Sequence, residues 1–291
     1  MAQGEGPAEQ AYRDFAVPEP VAEAGRAWLA TPRDRRTVAE PRRSATVMLL
    51  REGPSGVARK LEVFVLRRAG SMAFAAGMLA FPGGGVDARD AERSVPWAGP
   101  SAQEWSGRLG TDEEGARELV TAAAREVFEE CGVLLAGPDA GEVVADLRDP
   151  VWRQERAALL DRSQSFAELL ARHGLVLRTD LLSLRGRWIT PECEPRRYDT
   201  FFFAARMPRG QRADDGSTEA EVASWRSPAQ ILEGQRAGRD VMLPPTQVMV
   251  EELAQVEDVT LDSWLGRPVE VRPVLPVPVE DGGAVAIRIP R

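Results

Sequence analysis

The stretch from Arg125 to Val133, REVFEECGV, constrains the fold more than any other part of this chain. Glu126, Glu129 and Glu130 stand at i, i+3 and i+4, so a helix places their side chains within roughly 5 to 6 Å of one another. Like charges this close repel unless a cation offsets them, and Mg2+ and Mn2+ prefer oxygen ligands. Taken alone, such a cluster is more often a solvated helix face. The metal hypothesis therefore needs support from the surrounding sequence.

The residues before this cluster predict a rigid helix that carries the three acids. Thr111 to Glu114 supply an N-cap and an acidic first turn, and Gly132 suits a left-handed helix end. Apolar residues recur at the three- and four-residue spacing of a buried stripe: Ala116, Leu119, Val120, Ala123, Val127 and Phe128. We expect a helix to about Cys131, with the glutamates along the edge of its buried face.

A glycine-rich turn lies upstream of this helix. The apolar run from Met78 to Phe81 reads as a buried strand that leads into Pro82 and then Gly83, Gly84 and Gly85. Glycines let the backbone approach a ligand closely, so that amide and carbonyl groups can face a phosphate or its metal ion. The three glycines are therefore candidate substrate-binding residues.

These two segments together resemble the signature of the Nudix hydrolases, which is Gly, five residues, Glu, seven residues and then REUxEExGU, where U is aliphatic. The second half matches at every specified position from Arg125 to Val133. In the first half, five residues after Gly84 lead to Asp90, where the family has Glu. Residues 91 to 124 then separate Asp90 from Arg125, so that the motif is interrupted by an insertion.

The insertion is similar to that of the Nudix branch typified by the peroxisomal coenzyme A diphosphatases. Other segments with similarity to that branch are Trp188 to Pro191, Arg197 to Phe202 and Leu243 to Thr246. The branch carries an Arg and a His before its glycine loop, where this chain has Ala73 and Ala75, and only Arg68 is retained from that element. Coenzyme A is therefore one candidate substrate among nucleoside diphosphate derivatives.

The resemblance implies an α/β (α+β) fold, a Nudix-type α/β/α sandwich with a mixed sheet, a helical insertion and a C-terminal extension. It implies cleavage of a diphosphate linkage with Mg2+ or Mn2+ as cofactor, and coenzyme A or acyl-CoA among the substrates. The implied metal ligands are Glu126, Glu129, Glu130 and the Gly84 carbonyl. Arg125 would orient a carboxylate, while Arg68 and the glycines Gly83, Gly84 and Gly85 would hold substrate.

The general base stays open among Glu130, Glu219 and Glu221. The last two lie in the acidic segment before a strand, where relatives often carry a catalytic Glu. Because Asp90 is a methylene shorter than the family's Glu, its role also stays open.

The chain divides on pattern into an N-terminal arm, a catalytic domain and a C-terminal strap. Residues 1–40 read as mobile, apart from a short helix near Val21 to Leu29. Residues 41–255 form the expected Nudix domain, with an inserted loop at 91–110 and a helical addition at 150–173. Residues 256–291 alternate valines and prolines, which is typical of edge strands or an extended strap.

Composition excludes several other classes. His173 is the one histidine, which argues against His-based serine or cysteine catalysis, and the two cysteines provide no disulfide framework. Lys60 is the one lysine and no Gly-Lys-Ser/Thr loop exists, which removes Walker-type phosphate binding. A net charge of −8 argues against a broad nucleic-acid surface. We expect a cytoplasmic protein with a nucleotide-type substrate and no membrane span, with a homodimer as one assembly.

Two alternatives to this enzyme remain. A catalytically idle Nudix fold that serves as a ligand sensor or interaction module is favoured by the interrupted motif and opposed by the intact glutamate helix. A nucleotide-pool or RNA-end hydrolase is the other alternative, and the acidic net charge makes RNA the weaker choice.

Overall fold

The computed structural model describes residues 12–53, 61–68, 76–214, 220–256 and 260–290. The chain forms two compact units. The larger comprises the described parts of Arg43–Gly186 and Thr200–Val271, and the smaller those of Met1–Arg42, Arg187–Asp199 and Arg272–Arg291. Within the described residues, no helix combines the length and apolar character that crossing a membrane requires.

The described strands are, in chain order, β1 (Tyr12–Ala16), β2 (Arg42–Glu52), β3 (Leu61–Arg68), β4 (Leu79–Ala80), β5 (Gly83–Gly85), β6 (Trp97–Ala98), β7 (Ala136–Gly137), β8 (Val176–Arg178), β9 (Leu182–Ile189), β10 (Tyr198–Arg206), β11 (Ala220–Arg226), β12 (Pro273–Val274), β13 (Val277–Asp281) and β14 (Ala284–Pro290). The α-helices are α1 (Glu19–Ala30), α2 (Ala102–Leu109), α3 (Glu113–Cys131), α4 (Pro150–Leu160), α5 (Phe166–His173), α6 (Pro228–Arg236), α7 (Pro244–Ala254) and α8 (Leu261–Leu265). Short 3-10 helices occupy Arg33–Arg35, Ala88–Ala91 and Thr179–Leu181.

The larger unit is built on a sheet with strand order β11-β3-β2-β10-β9, in which the short β4 pairs with β3 and β5 with β2. Along β2, Val47 and Leu49 join the core cluster that contains α3, whereas the alternate residues Met48 and Leu50 are buried outside that cluster. Since successive strand residues point to opposite faces, the sheet is covered on both. The predicted α/β/α fold is confirmed.

The segment predicted as an inserted loop at 91–110 is instead partly helical, so that expectation is wrong. Helix α2 begins at a capping box in which Ser101 accepts from the Glu104 amide and the Glu104 carboxylate accepts from the Ser101 amide. Its residues Trp105 and Leu109 are buried, and α2 packs on α3. The Pro and Gly residues before α2 favoured the prediction of a loop. The short amphipathic helix α2 is stabilised by its packing on the core, which the local sequence does not show.

The helical addition predicted at 150–173 is present as α4 and α5. Asp149 caps α4 through the Val151 amide, and Ser165 begins α5 with a second capping box. Leu159, Phe166 and Leu169 bury their side chains in the main core cluster. The addition is therefore an integral part of the larger unit.

In the smaller unit the short helix expected near Val21 to Leu29 is present as α1, whereas Tyr12–Ala16, predicted as part of a mobile arm, form strand β1. Strand β1 pairs antiparallel with β14, which also pairs with β13, and α1 packs on β13 and β14. A Cβ added at Gly25 of α1 would lie 2.7 Å from the Val285 side chain, so glycine allows this close approach. The arm and the strap therefore form one small sheet, because each supplies the hydrogen-bonding partner that the other lacks. The edge strands expected after residue 256 are present, and α8 precedes them.

We expect Trp105→Ala to lower the free energy of unfolding by about 3 to 5 kcal/mol, because it leaves a cavity in the core beside Phe203. The Trp105 side chain is fully buried, and its ring lies 5.8 Å from that of Phe203. Urea denaturation would measure the change, with the exposed Gln103→Ala on the same helix as the control. Equal stability of the two variants would show that α2 is peripheral.

Candidate active site

Helix α3 presents its glutamates to the protein interior and not to solvent. Asp112 caps the helix by accepting from the Gly115 amide, and Gly132 ends it at φ 67° in the left-handed region. Glu126 and Glu130 are buried, with 7% and 5% of their surface exposed, and the Glu129 side chain is 13% exposed. This burial removes the alternative of a solvated acidic face. Buried carboxylates require partners, and those partners define the site.

The Arg125 guanidinium lies at the centre of the acidic cluster. It makes five hydrogen bonds, as many as it has N–H donors. Two go to the carboxylate of Asp90, from Nε and Nη2 at 2.9 Å each, and a third joins Nη2 to the Gly85 carbonyl at 2.9 Å. Nη1 donates to Glu126 Oε1 at 2.7 Å and to Glu129 Oε2 at 3.1 Å. Arg125 therefore has no N–H left over for a ligand.

Asp90 rejoins the two halves of the interrupted motif. It stands 35 positions before Arg125, yet the two side chains meet through two parallel hydrogen bonds. Asp90 is 2% exposed, and its other contact is the amide of Asp87, which donates at 2.8 Å and closes a capping box at Ala88–Ala91. The shorter side chain thus pairs with the signature arginine, and the register that begins at Gly84 fits the structure.

The glycine segment β5 is held against the glutamates. Its residues pair with β2, and the Gly83 amide donates to Glu130 Oε2 at 2.8 Å. A Cβ at Gly84 would lie 2.6 to 2.7 Å from the carboxylate atoms of Glu126, and one at Gly83 would lie 2.4 Å from the Ala45 carbonyl oxygen. Only glycine lets the backbone approach both the sheet and the carboxylates this closely.

The cluster carries excess negative charge. Burial raises the pKa of Glu126 to about 7; Arg125 opposes this shift and Glu129 adds to it. Burial also raises the pKa of Asp90, against the effect of Arg125. Burial by itself would lower the pKa of Arg125, but Glu126 and Asp90 outweigh it and the pKa is raised. One guanidinium thus faces three carboxylates, and a second cation would balance them.

The donor set fits a hard divalent cation in its chemistry. Glu126, Glu129 and Glu130 offer carboxylate oxygens beside a backbone that bears no side chains, and Mg2+ and Mn2+ favour such ligands. Among the described residues, no three His, Cys, Asp or Glu side chains are placed so that together they could hold a metal ion. Glu126 and Glu129 instead share Arg125, while Glu130 binds Gly83. The charge and the ligand type therefore fit, and the side chains do not surround an ion.

Two other predicted site residues, Arg68 and Glu221, belong to β3 and β11. Arg68 ends β3, where it pairs with Ala220 at the start of β11. The register of this pair shifts between Ala220 and Val222, so the backbone has an irregularity at Glu221. The side chain of Glu221 lies outside the described part of the chain, as do Glu219, Ala73 and Ala75.

Two arginines beside the motif were not singled out from the sequence. Arg156 of α4 donates from Nε to the Glu129 carbonyl at 2.8 Å, and Arg89 pairs with Asp87. Arg89 is adjacent to Asp90, which is a local signal. Nothing local marks Arg156, because α4 is joined to the motif only by tertiary packing.

We expect Gly84→Ala to weaken Mn2+ binding by about tenfold while the far-ultraviolet circular dichroism spectrum stays that of wild type. The new Cβ would displace the carboxylate of Glu126, which is the flexible end of a side chain, and leave the main chain in place. Electron paramagnetic resonance titration with Mn2+ measures the affinity. Gly107→Ala, where an added Cβ meets nothing within 4 Å, is the matched control. Wild-type affinity in Gly84→Ala would rule out Glu126 as a ligand.

Asp90→Ala should lower the free energy of unfolding by about 3 kcal/mol, because it leaves the buried Arg125 short of its bidentate partner. Urea denaturation measures this change. The control is Asp146→Ala, which breaks the exposed Asp146–Arg148 pair and should cost less than about 1 kcal/mol. Similar losses in the two variants would contradict a central role for the Asp90–Arg125 pair.

Comparison with known proteins shows which families and structures this chain resembles. The model of the NUDT19 Nudix domain matches residues 116–255. Putative nudix hydrolase 7 of Caenorhabditis elegans is 26% identical over 221 residues, which cover 76% of this chain and 64% of that protein. Acyl-coenzyme A diphosphatase NUDT19 of Xenopus laevis is 23% identical over 223 residues, which cover 64% of this chain and 57% of that protein. The chain thus spans less than two thirds of the length of these curated relatives.

A solved structure shows the same similarity. The crystal structure of a NUDIX hydrolase from Alicyclobacillus acidocaldarius matches with a TM-score of 0.61 and 27% identity, over 75% of this chain and 92% of that one. The predicted resemblance to Nudix hydrolases is confirmed. The chain is similar to the Nudix hydrolases, and to the NUDT19 Nudix domain in particular.

Proposed function

We propose that this chain is a metal-dependent hydrolase that cleaves the diphosphate linkage of a nucleoside diphosphate derivative, with coenzyme A or an acyl-CoA as the first substrates to test. The observation that carries the proposal is the buried acidic cluster of α3, which is held by Arg125 against the glycines of β5. The similarity to the acyl-coenzyme A diphosphatase of Xenopus laevis supports the choice of substrate.

The glutamates would act as metal ligands. Glu126, Glu129 and Glu130 would hold Mg2+ or Mn2+ together with the Gly84 carbonyl. When bound, such an ion offsets the charge that develops on the phosphate oxygens and lowers the pKa of a coordinated water. Arg125 orients carboxylates and does not meet substrate, because each of its hydrogen bonds ends within the protein.

The glycine segment has two separate tasks in this proposal. The Gly83 amide donates to Glu130, so its part is to fix that carboxylate and not to bind phosphate directly. Gly84 allows Glu126 to approach, and the Gly85 carbonyl accepts from Arg125. Phosphate contacts are then assigned to the positive charge of Arg68, at the end of β3.

The general base is assigned to one of Glu130, Glu219 and Glu221. The Gly83 amide stabilises the charged form of Glu130, which is the form that a base needs. Glu219 and Glu221 are candidates because they lie in the acidic segment of the sequence before a strand, where relatives often carry a catalytic Glu. Single Glu→Gln changes at the three positions, each with a pH profile of kcat, would identify the residue whose loss removes the acidic limb.

We expect Glu129→Gln and Glu130→Gln each to reduce Mn2+-dependent hydrolysis by at least about 100-fold, because a neutral amide is a poor ligand for a hard cation. Initial rates on coenzyme A, acyl-CoA, ADP-ribose and an oxidised nucleotide, with products identified by mass, would measure the loss and the substrate preference. Circular dichroism should show an unchanged fold.

Glu114→Gln is the matched control, because Glu114 lies in the exposed first turn of the same helix and its turnover should stay within about twofold of wild type. Near-normal turnover in both ligand variants would refute the mechanism. Binding of these compounds without cleavage would favour the ligand sensor, and preference for capped RNA or oxidised nucleotides would favour the other alternative hydrolase.

A further inference from the structure

The C-terminal end of α3 is capped by residues from outside the signature. The last four carbonyls of a helix lack partners within it. Phe128 accepts from the Gly132 amide, whereas the Glu129 carbonyl accepts from Arg156 Nε at 2.8 Å and the Cys131 carbonyl from the Asp214 amide at 3.0 Å. The backbone that carries Glu129 and Glu130 is thus fixed by α4 and by the segment after β10.

Arg156 is itself tightly constrained. Its side chain is 10% exposed, and Nη1 donates to Asp214 Oδ1 at 2.5 Å. The guanidinium packs on the end of α3, since a Cβ at Gly132 would lie 3.1 Å from Nη1. A cation at a helix C-terminus also interacts favourably with the helix dipole. One side chain therefore joins three segments at the point where the acidic residues end.

The same helical addition contacts the other half of the interrupted motif. Arg89, next to Asp90, donates from Nη1 to the carbonyls of Arg162 and Gln164 at 3.3 and 3.2 Å, in the connection between α4 and α5. Gln164 is held in turn by Glu155 of α4, through Nε2 at 2.6 Å from Oε2. The segment formed by α4 and α5 thus contacts both the 3-10 helix Ala88–Ala91, which contains Asp90, and the C-terminal end of α3.

We propose that α4 and α5 hold the two halves of the interrupted motif in register, and that Arg156 is a positioning residue for Glu129 and Glu130. The chain between Asp90 and Arg125 is too long to set their spacing, so tertiary contacts must do so. A misplacement of about 1 Å in such a site can reduce turnover 100-fold. This inference deepens the proposed function and rests on it for the role of the glutamates.

Two possible roles of Arg156, positioning of the glutamates and the effect of its positive charge alone, lead to opposite predictions for substitutions at this residue. If its charge alone mattered, Arg156→Lys would be neutral, and Arg156→Met would strengthen cation binding by removing a competing positive charge. If its geometry matters, both changes weaken cation binding, because neither side chain can bridge the Glu129 carbonyl and Asp214 as the planar guanidinium does.

The experiment measures Mn2+ affinity by electron paramagnetic resonance, together with kcat, KM and melting temperature, for Arg156→Lys and Arg156→Met. We expect about tenfold weaker Mn2+ binding and about tenfold lower kcat in Arg156→Lys, with KM nearly unchanged and larger losses in Arg156→Met. Arg153→Met is the matched control, since Arg153 is exposed on the same helix and should behave as wild type.

Asp214→Asn provides a milder second variant, which weakens the ion pair but keeps the main-chain bond to Cys131. It should lower Mn2+ affinity by about threefold at an unchanged melting temperature. Wild-type Mn2+ affinity in Arg156→Lys, or tighter binding in Arg156→Met, overturns the positioning role even if the enzyme is active. Conversely, if wild type binds Mn2+ but cleaves none of the panel, the proposed function fails while weaker binding in Arg156→Lys still supports the positioning role.

Discussion

The buried guanidinium of Arg125 is the interaction on which the site depends. A charge at this depth is tolerated only when all of its donors are matched, and here the acceptors come from Asp90, Gly85, Glu126 and Glu129. Because one rigid planar group serves all four, the turn after β5, the glycine segment and the helix cannot move independently. The same arrangement leaves the carboxylates with more negative charge than one arginine neutralises. The structural support of the site and its excess of negative charge therefore have one physical origin.

The insertion that interrupts the motif does not disturb this arrangement, because it folds onto the same core. Helix α2 buries Trp105 against the sheet and packs on α3, so the added chain stabilises the helix that carries the acids. The entropy of closing a loop grows only slowly with its length, and burial of apolar surface offsets it. In our proposal, side-chain contacts and helices α4 and α5 set the distance in space between Asp90 and Arg125. In an uninterrupted motif the short connecting chain would set that distance.

Prediction from the sequence succeeded where the signal was local. Helix α3 has a capping aspartate, a buried stripe and a terminal glycine within one continuous segment, and its bounds lie within a residue or two of those expected. It failed where the stabilising partner lies far along the chain. Strand β1 pairs with β14, and Arg288 bonds Asp14 from 274 positions away, so the local sequence of Tyr12–Ala16 could not show that this segment is a strand. The helix α2 was missed for a similar reason, because its apolar face is short and only the core beside Phe203 makes it stable.

The sequence by itself predicted the resemblance to the Nudix hydrolases and the acidic helix, because those depend on residue identity and on the spacing of one helical segment. The tertiary structure alone decided that Asp90 pairs with Arg125, that Gly83 binds Glu130, and that Arg156 caps the end of α3. Each of these contacts joins segments that are 27 to 47 residues apart. Such pairs are chosen by packing and by the need to match buried charge, and neither leaves a periodic pattern in the chain.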